Sequence, residues 1–188
     1  MTTPLDIVAV SGGAYRPSRT LVLAEAILGE LAERLQVPVR TRLIELSDIA
    51  RPLGGALSRK ELPEEVEEQL RAIETADLLV VASPVYRGSY PGLLKHLFDL
   101  VGMEALVDTP VLLAATGGSP LHALVIDHQL RPLFAFFQSL TLPIGVYGTE
   151  ADFRDYRIVS EPLKARIRLA AERAVPLLGG ASDLRKIA

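Results

Sequence analysis

Apolar and polar positions fall in blocks along the chain, and the blocks change their period. Asp6–Val10 (DIVAV) is a short, β-branched apolar run and predicts a buried first strand. From Ser18 onward, Leu21, Ala24, Ile27, Leu28, Leu31 and Leu35 recur at helical spacing, so a helix is expected over Ser18–Gln36. Val37–Leu46 alternates apolar with charged residues, as an edge strand with one wetter face does. Ser47–Leu62, with Pro52, Gly54 and Gly55, reads as a turn-rich loop, suited to a subunit or active-site flap. Pro63–Thr75 opens with proline and acidic residues, the order a helix N-terminus prefers. Asp77–Ala82 is a continuous apolar run, hence a central parallel strand. A helix from Pro91, a strand over Pro110–Ala115, a helix over Leu121–Leu140 and a strand over Thr141–Tyr147 follow. After a polar loop, Thr149–Ile158, comes a last helix, Ser160–Leu178. Gly179 and Gly180 are expected to end it, leaving residues 181–188 as a loose tail.

Five strands alternating with five helices predict an α/β fold in a single domain, residues 1–180. The expected architecture is a flavodoxin-like, doubly wound, five-stranded parallel sheet of order 2-1-3-4-5, with helices on both faces. Ligands of such sheets sit beyond the carboxyl ends of the strands, and three Gly-rich turns fall there. The first is SGGAYRPSRT, Ser11 to Thr20, between strand and helix. Free amides and the positive end of a helix dipole attract phosphate, and Ser11, Arg16, Ser18, Arg19 and Thr20 can add specific contacts. No GK[ST] follows the glycines and no GxGxxG is present, which excludes the P-loop and dinucleotide patterns. A monophosphate such as FMN fits better. The other turns are Ser83–Tyr90, where Pro84, Val85, Tyr86 and Arg87 would shape a wall for a planar ring, and Thr116, Gly117, Gly118 and Ser119. Amides of that last turn would stabilise negative charge on a reduced ring.

Composition narrows the picture. Net charge is −3 with no long basic block, which argues against nucleic acid and anionic membrane as partners. Cysteine is absent and histidines number three, so disulfides, thiolate chemistry and a Cys- or His-built metal site are not expected. With 49% hydrophobic residues the chain is rich for a monomer, and some apolar surface is expected between subunits. No charged-then-apolar leader precedes Asp6 and no apolar run reaches spanning length, which leads to the expectation of a cytoplasmic protein. There is no GxSxG, no HExxH and no carboxylate pair at useful spacing. Hydride transfer between two cofactors needs none of these, because the cofactors carry the chemistry.

The segments SPVYRGSYPGLLKHLFD and AATGGSPLHAL resemble the flavin-contacting loops of NAD(P)H-dependent FMN reductases. The chain is most similar to those of alkanesulfonate and methanesulfonate monooxygenase systems, and HQLRPLFAFFQSLTLPIGVY resembles the methanesulfonate type. The resemblance implies FMN and NADH or NADPH as cofactors. It further implies transient delivery of reduced FMN to a flavin-dependent sulfonate monooxygenase, and a homotetramer or homodimer. FMN could be a bound prosthetic group or an exchanging substrate. The family loop often carries an earlier arginine, where this chain has Ala14. Ser18 matches the family's PSR element, so it is the firmest phosphate contact, with either Arg16 or Arg19 assisting.

Pro132 interrupts a helical pattern and has no N–H for the carbonyl of His128. The helix must kink or widen into a π-bulge over Asp127–Pro132. The resemblance implies a π-type insertion at this point, near flavin and subunit interface, with His128 where some relatives have Tyr. His96 reads as a packing or interface histidine. Two alternatives keep the fold: a quinone-, azo- or chromate-type flavin reductase, and a flavodoxin-type electron carrier, which would be more acidic than −3. A receiver-type signalling domain needs acidic strand ends, and here those ends are Ser11 and Ser83.

Overall fold

A strand buried on both faces needs helices above and below it, and the chain alternates the two accordingly. In the computed structural model, which describes residues 4–184, the order is β1 (Leu5–Ser11), α1 (Arg19–Arg34), β2 (Val39–Glu45), α2 (Leu46–Gly55), α3 (Glu64–Glu74), β3 (Leu78–Pro84), α4 (Gly92–Asp99) and β4 (Pro110–Gly117). Then come α5 (Arg131–Phe136), β5 (Leu140–Thr141), β6 (Val146–Thr149), β7 (Phe153–Arg154), β8 (Arg157–Ile158) and α6 (Glu161–Leu184). The sheet is parallel in the order β2-β1-β3-β4-β5, the flavodoxin-like arrangement, and β7 and β8 form a separate small hairpin. All seven residues of β3 are buried. One apolar cluster joins the sheet to α2, α3, α4 and α5, with Phe98 edge-on to Phe134 at 4.9 Å between ring centres. The other joins the opposite face to α1 and α6. β2, with Arg40 and Arg42 exposed, is an edge strand as its alternation requires.

Four expectations need correction. Ser47–Leu62 is not a loop: α2 fills its first part and a 3₁₀ turn spans Arg59–Glu61. Leu46, Ile49 and Leu53 share one buried stripe, and His96 Nε2 donates to the carbonyls of Leu53 (3.1 Å) and Ala56 (2.9 Å) at the helix end. Tertiary contacts override Pro52 and the glycine pair. The fifth strand is split, because β5 and β6 both pair with β4 but are separated around Pro143. The expected Leu121–Leu140 helix is broken into a 3₁₀ turn (Pro120–His122), a π-helical turn (Ile126–Leu130) and α5. Finally, α6 does not stop at Gly179 and Gly180 but continues to Leu184, and residues 185–188 of the expected tail lie outside the described residues. In α1 the buried stripe is turned slightly: Leu23 is buried, while Leu21 and Leu35 are half-buried.

Arg59 ties the 3₁₀ turn to α3. Its guanidinium donates to Glu67 at 2.8 and 3.0 Å and to both carboxylate oxygens of Glu74, one of them at 2.9 Å. Glu74 also accepts the Gly102 amide at 2.8 Å. The Arg59 hydrogen bond is the main cause holding the Glu67 carboxyl below its ordinary range. Arg59→Leu should lower stability to urea at neutral pH by about 1.5–3 kcal/mol, the usual worth of hydrogen bonds to charged groups. A lowered carboxyl stabilises fully above its unfolded value, about 4.3, and ceases to as pH falls through its folded value. The gap between wild type and variant should therefore narrow in acid, and urea melts across that range measure it.

Candidate functional site at the carboxyl edge of the sheet

The strand register brings three turns to one place. Ser11 of β1 lies opposite Ala82, Pro84 of β3 opposite Thr116, and Gly117 of β4 opposite Thr149. The Gly12 amide donates to Ala82 O and the Val85 amide to Thr116 O, both at 2.8 Å, so the ladder continues one residue into each turn. Gly12 is required by packing, since a Cβ there would lie 2.8 Å from Leu94 Cδ2 on α4 and 3.2 Å from the Ala82 carbonyl.

Between the turns is a cleft of about 230 Å³. Its inner end is built on the start of α1. Ser18 caps that helix, its Oγ accepting from the Leu21 amide at 3.2 Å, while its own O–H remains available to a ligand. The amides of Arg19 and Thr20 precede the first intrahelical bond and meet no acceptor among the described residues. Thr20 and Thr116 are buried and joined hydroxyl to hydroxyl at 2.6 Å, which locks α1 to the end of β4. Arg19 is the one charged residue lining the cleft among the described residues, and it is ion-paired with Glu150.

The outer wall is Pro84, Val85 and the exposed ring of Tyr86. Tyr86 and Ser89 exchange backbone hydrogen bonds around Arg87 and Gly88, both at positive φ, a tight I′-like turn. Opposite stand Gly117 and Gly118. A Cβ on Gly117 would fall 2.2 Å from Tyr147 Oη, so a side chain there would displace that phenol. That phenol donates to the Ser119 carbonyl at 2.6 Å, and burial pushes its pKa up, so it stays a protonated donor. At Gly118 nothing lies within 4 Å of a would-be Cβ, and its amide and that of Ser119 donate to no acceptor among the described residues.

Of the residues predicted for the site, the cleft gathers Ser18, Arg19, Thr20, Pro84, Val85, Tyr86, Thr116, Gly117 and Gly118. Ser11 is buried at the end of β1. Arg16 is held by Glu45 at 2.6 Å and Asp48 at 3.1 Å and does not line the cleft. Arg87 sits in the positive-φ turn outside it, and Ser119 caps the 3₁₀ turn, accepting from Leu121 at 3.2 Å. Tyr15, Pro17 and Tyr156 line the cleft without having been predicted. Tyr156 arrives through the β7–β8 hairpin, whose two-residue turn, Asp155 and Tyr156, has positive φ at both positions. Alternation of Phe153 and Ile158 with polar neighbours was its only signal in the sequence.

His128 and Pro132 lie elsewhere, in an apolar groove of about 630 Å³ shared with Phe98, Met103, Phe136 and Phe137. The π turn there is real: the Arg131 amide reaches back five residues to the Ile126 carbonyl. Arg131 pins it, bonding Asp127 Oδ1 and the Leu142 carbonyl, each at 2.9 Å. Ser89 Oγ donates to Gln129 Oε1 at 3.1 Å, joining the Tyr86 turn to the π turn.

Unpaired amides, a hydroxyl and one guanidinium face the inner end of the cleft, a donor set that suits an anion. Open glycine backbone and a half-exposed aromatic wall farther out suit a planar ring. The described residues thus fit a flavin mononucleotide held by its phosphate. Among known proteins, the chain is 73% identical over 179 residues to an NADH-dependent FMN reductase (SfnF) of Pseudomonas fluorescens, covering 95% of each. It is 70% identical over the full length of both chains to an FMN reductase (NADPH) of Pseudomonas aeruginosa. A crystal structure of an oxidoreductase from Corynebacterium diphtheriae superposes with a TM-score of 0.83 at 31% identity, covering 95% of this chain and 98% of the other. The family model described as NADPH-dependent FMN reductase matches residues 5–153. The chain belongs to that family.

Proposed function

We propose that this chain takes hydride from NADH or NADPH to reduce FMN and passes the reduced flavin to a separate, flavin-dependent sulfonate monooxygenase. The observation that carries the reading is the donor set at the start of α1, closed by the Thr20–Thr116 bond and faced by Arg19. Likeness to reductases named for either nicotinamide nucleotide supports the hydride step. When bound, FMN supplies the redox chemistry, taking up two electrons as hydride. The chain's part is to bind and orient. Ser18, Arg19 and the first amides of α1 would hold the phosphate, Pro84 to Tyr86 would back the ring, and the free amides of Gly118 and Ser119 would offer it hydrogen-bond donors. Arg19 would be the phosphate arginine, because it lines the cleft and Arg16, turned to Glu45 and Asp48, does not. No helix among the described residues is long and apolar enough to cross a membrane, in keeping with a cytoplasmic site of action.

The chain further acts as a homodimer or homotetramer. Its seam is the groove between α4 and the π turn, where Phe136 is 63% and Met103 71% exposed. Aromatic and thioether surface of that extent is what subunit cores bury. His128 and Pro132 then sit at that seam, apart from the flavin cleft.

Two experiments test this. Fluorescence titration should give much tighter binding of FMN than of riboflavin, which lacks the phosphate. Ser18→Ala should weaken FMN by about 1.5–3 kcal/mol, one charge-assisted hydrogen bond. The same variant loses a helix cap, so apo stability should drop by about 1 kcal/mol. Equal affinity for the two flavins would refute the phosphate site. In sedimentation at micromolar concentration the wild type should be an oligomer and Phe136→Arg a smaller species, and a monomeric wild type would refute the seam.

A further inference from the structure

Arg19 faces two ways. It lines the cleft, yet its Nη2 is engaged by Glu150, which does not line it. Glu150 is placed there by the sheet. β6 pairs with β4 so that Thr149 lies opposite Gly117, itself a wall of the cleft, and Glu150 is the next residue. A capping box fixes the step: Asp152 Oδ2 accepts from the Thr149 amide and from Thr149 Oγ1, both at 2.7 Å. Burial disfavours the Asp152 anion, but hydrogen bonds from Ser160 and Thr149 outweigh it and hold this carboxyl low, so the box persists at neutral pH. Val159 and Ser160 donate their amides to the Asp152 carbonyl, closing the β7–β8 hairpin onto the same turn.

The geometry points to Glu150 as a competitor of the flavin phosphate for Arg19, a residue that lowers FMN affinity and so favours its release. This rests on the phosphate site proposed above. A carboxylate on the only guanidinium lining the cleft among the described residues could instead orient it, and the exposures decide between the two roles. The side chains of Arg19 and Glu150 are 41% and 63% exposed, and an ion pair so wet orients little. A phosphate brought to the same guanidinium meets a like charge at short range, which repels it unless the pair opens. The consequence is a site that recognises the phosphate yet lets it go, as an enzyme handing its product flavin to another protein requires.

The test is fluorescence titration of the apo protein with FMN and with riboflavin, at low and high salt, for wild type, Glu150→Gln, Arg19→Gln and the double variant. Glu150→Gln should tighten FMN by about two- to fivefold, the scale of one exposed charge interaction. Riboflavin affinity should stay unchanged, and the gain should shrink at high salt. Arg19→Gln should weaken FMN and remove most of the gain from Glu150→Gln. Unchanged or weaker FMN binding in Glu150→Gln overturns the inference, and so does a gain that survives in full without Arg19. If wild type itself binds riboflavin as tightly as FMN, the phosphate site fails, and the inference with it. A wild type that prefers FMN, with an unresponsive Glu150→Gln, would sink the inference alone.

Discussion

One hydrogen bond between two buried hydroxyls, Thr20 Oγ1 and Thr116 Oγ1, closes the floor of the cleft. It reaches from the first turn of α1 to the end of β4, across the position of β3 between them. Each hydroxyl is the other's partner, and loss of either would leave a polar group buried without one, a costly state. With the two turns fastened together, Arg19, Thr20 and Gly118 line one cleft, and their amides meet no acceptor among the described residues. The site is thus made less by reactive side chains than by backbone that the fold forbids to pair with itself.

Much of this was legible in the chain. Period-two and apolar runs located β1 to β4, and Ser18 and Gly117 marked two of the turns that matter. Residues 46–55 were not legible, because Pro52, Gly54 and Gly55 mimic a turn locally. They are helical only because Leu46, Ile49 and Leu53 find a core and His96 caps the end from forty residues away. Long-range placement likewise separates two arginines that look equivalent on paper: both are ion-paired, but only Arg19 lines the cleft. Arg16 is drawn off by Glu45 and Asp48, partners that only the β1–β2 pairing brings near. Tyr156 was hidden for a related reason: a tyrosine at positive φ in a two-residue turn departs from the Asn and Gly such turns favour. That such a departure sits at the cleft agrees with backbone strain gathering where ligands bind.

Pro132 shows the opposite case, a local rule whose consequence could be read in advance. Without an N–H it cannot close an ordinary turn on His128, and the helix widens just before it, with Arg131 bonded back to Ile126. Arg131 then spends its guanidinium on Asp127 and on Leu142, the carbonyl at the break between β5 and β6. That contact joins the widened helix to the split in the fifth strand.

Ser89 and Gln129 give that contact reach. Their hydrogen bond runs from the turn that carries Tyr86, at the mouth of the cleft, to the π turn, at the wall of the apolar groove. A body seated on the groove that displaced Gln129 would act on the turn holding Tyr86, and a ring seated against Tyr86 would act back through the same bond. If the groove is the proposed seam, linkage would make the two effects equal: whatever factor subunit association applied to flavin affinity, flavin would apply to association. Ligand binding and self-assembly in this molecule would then be one equilibrium observed from two ends.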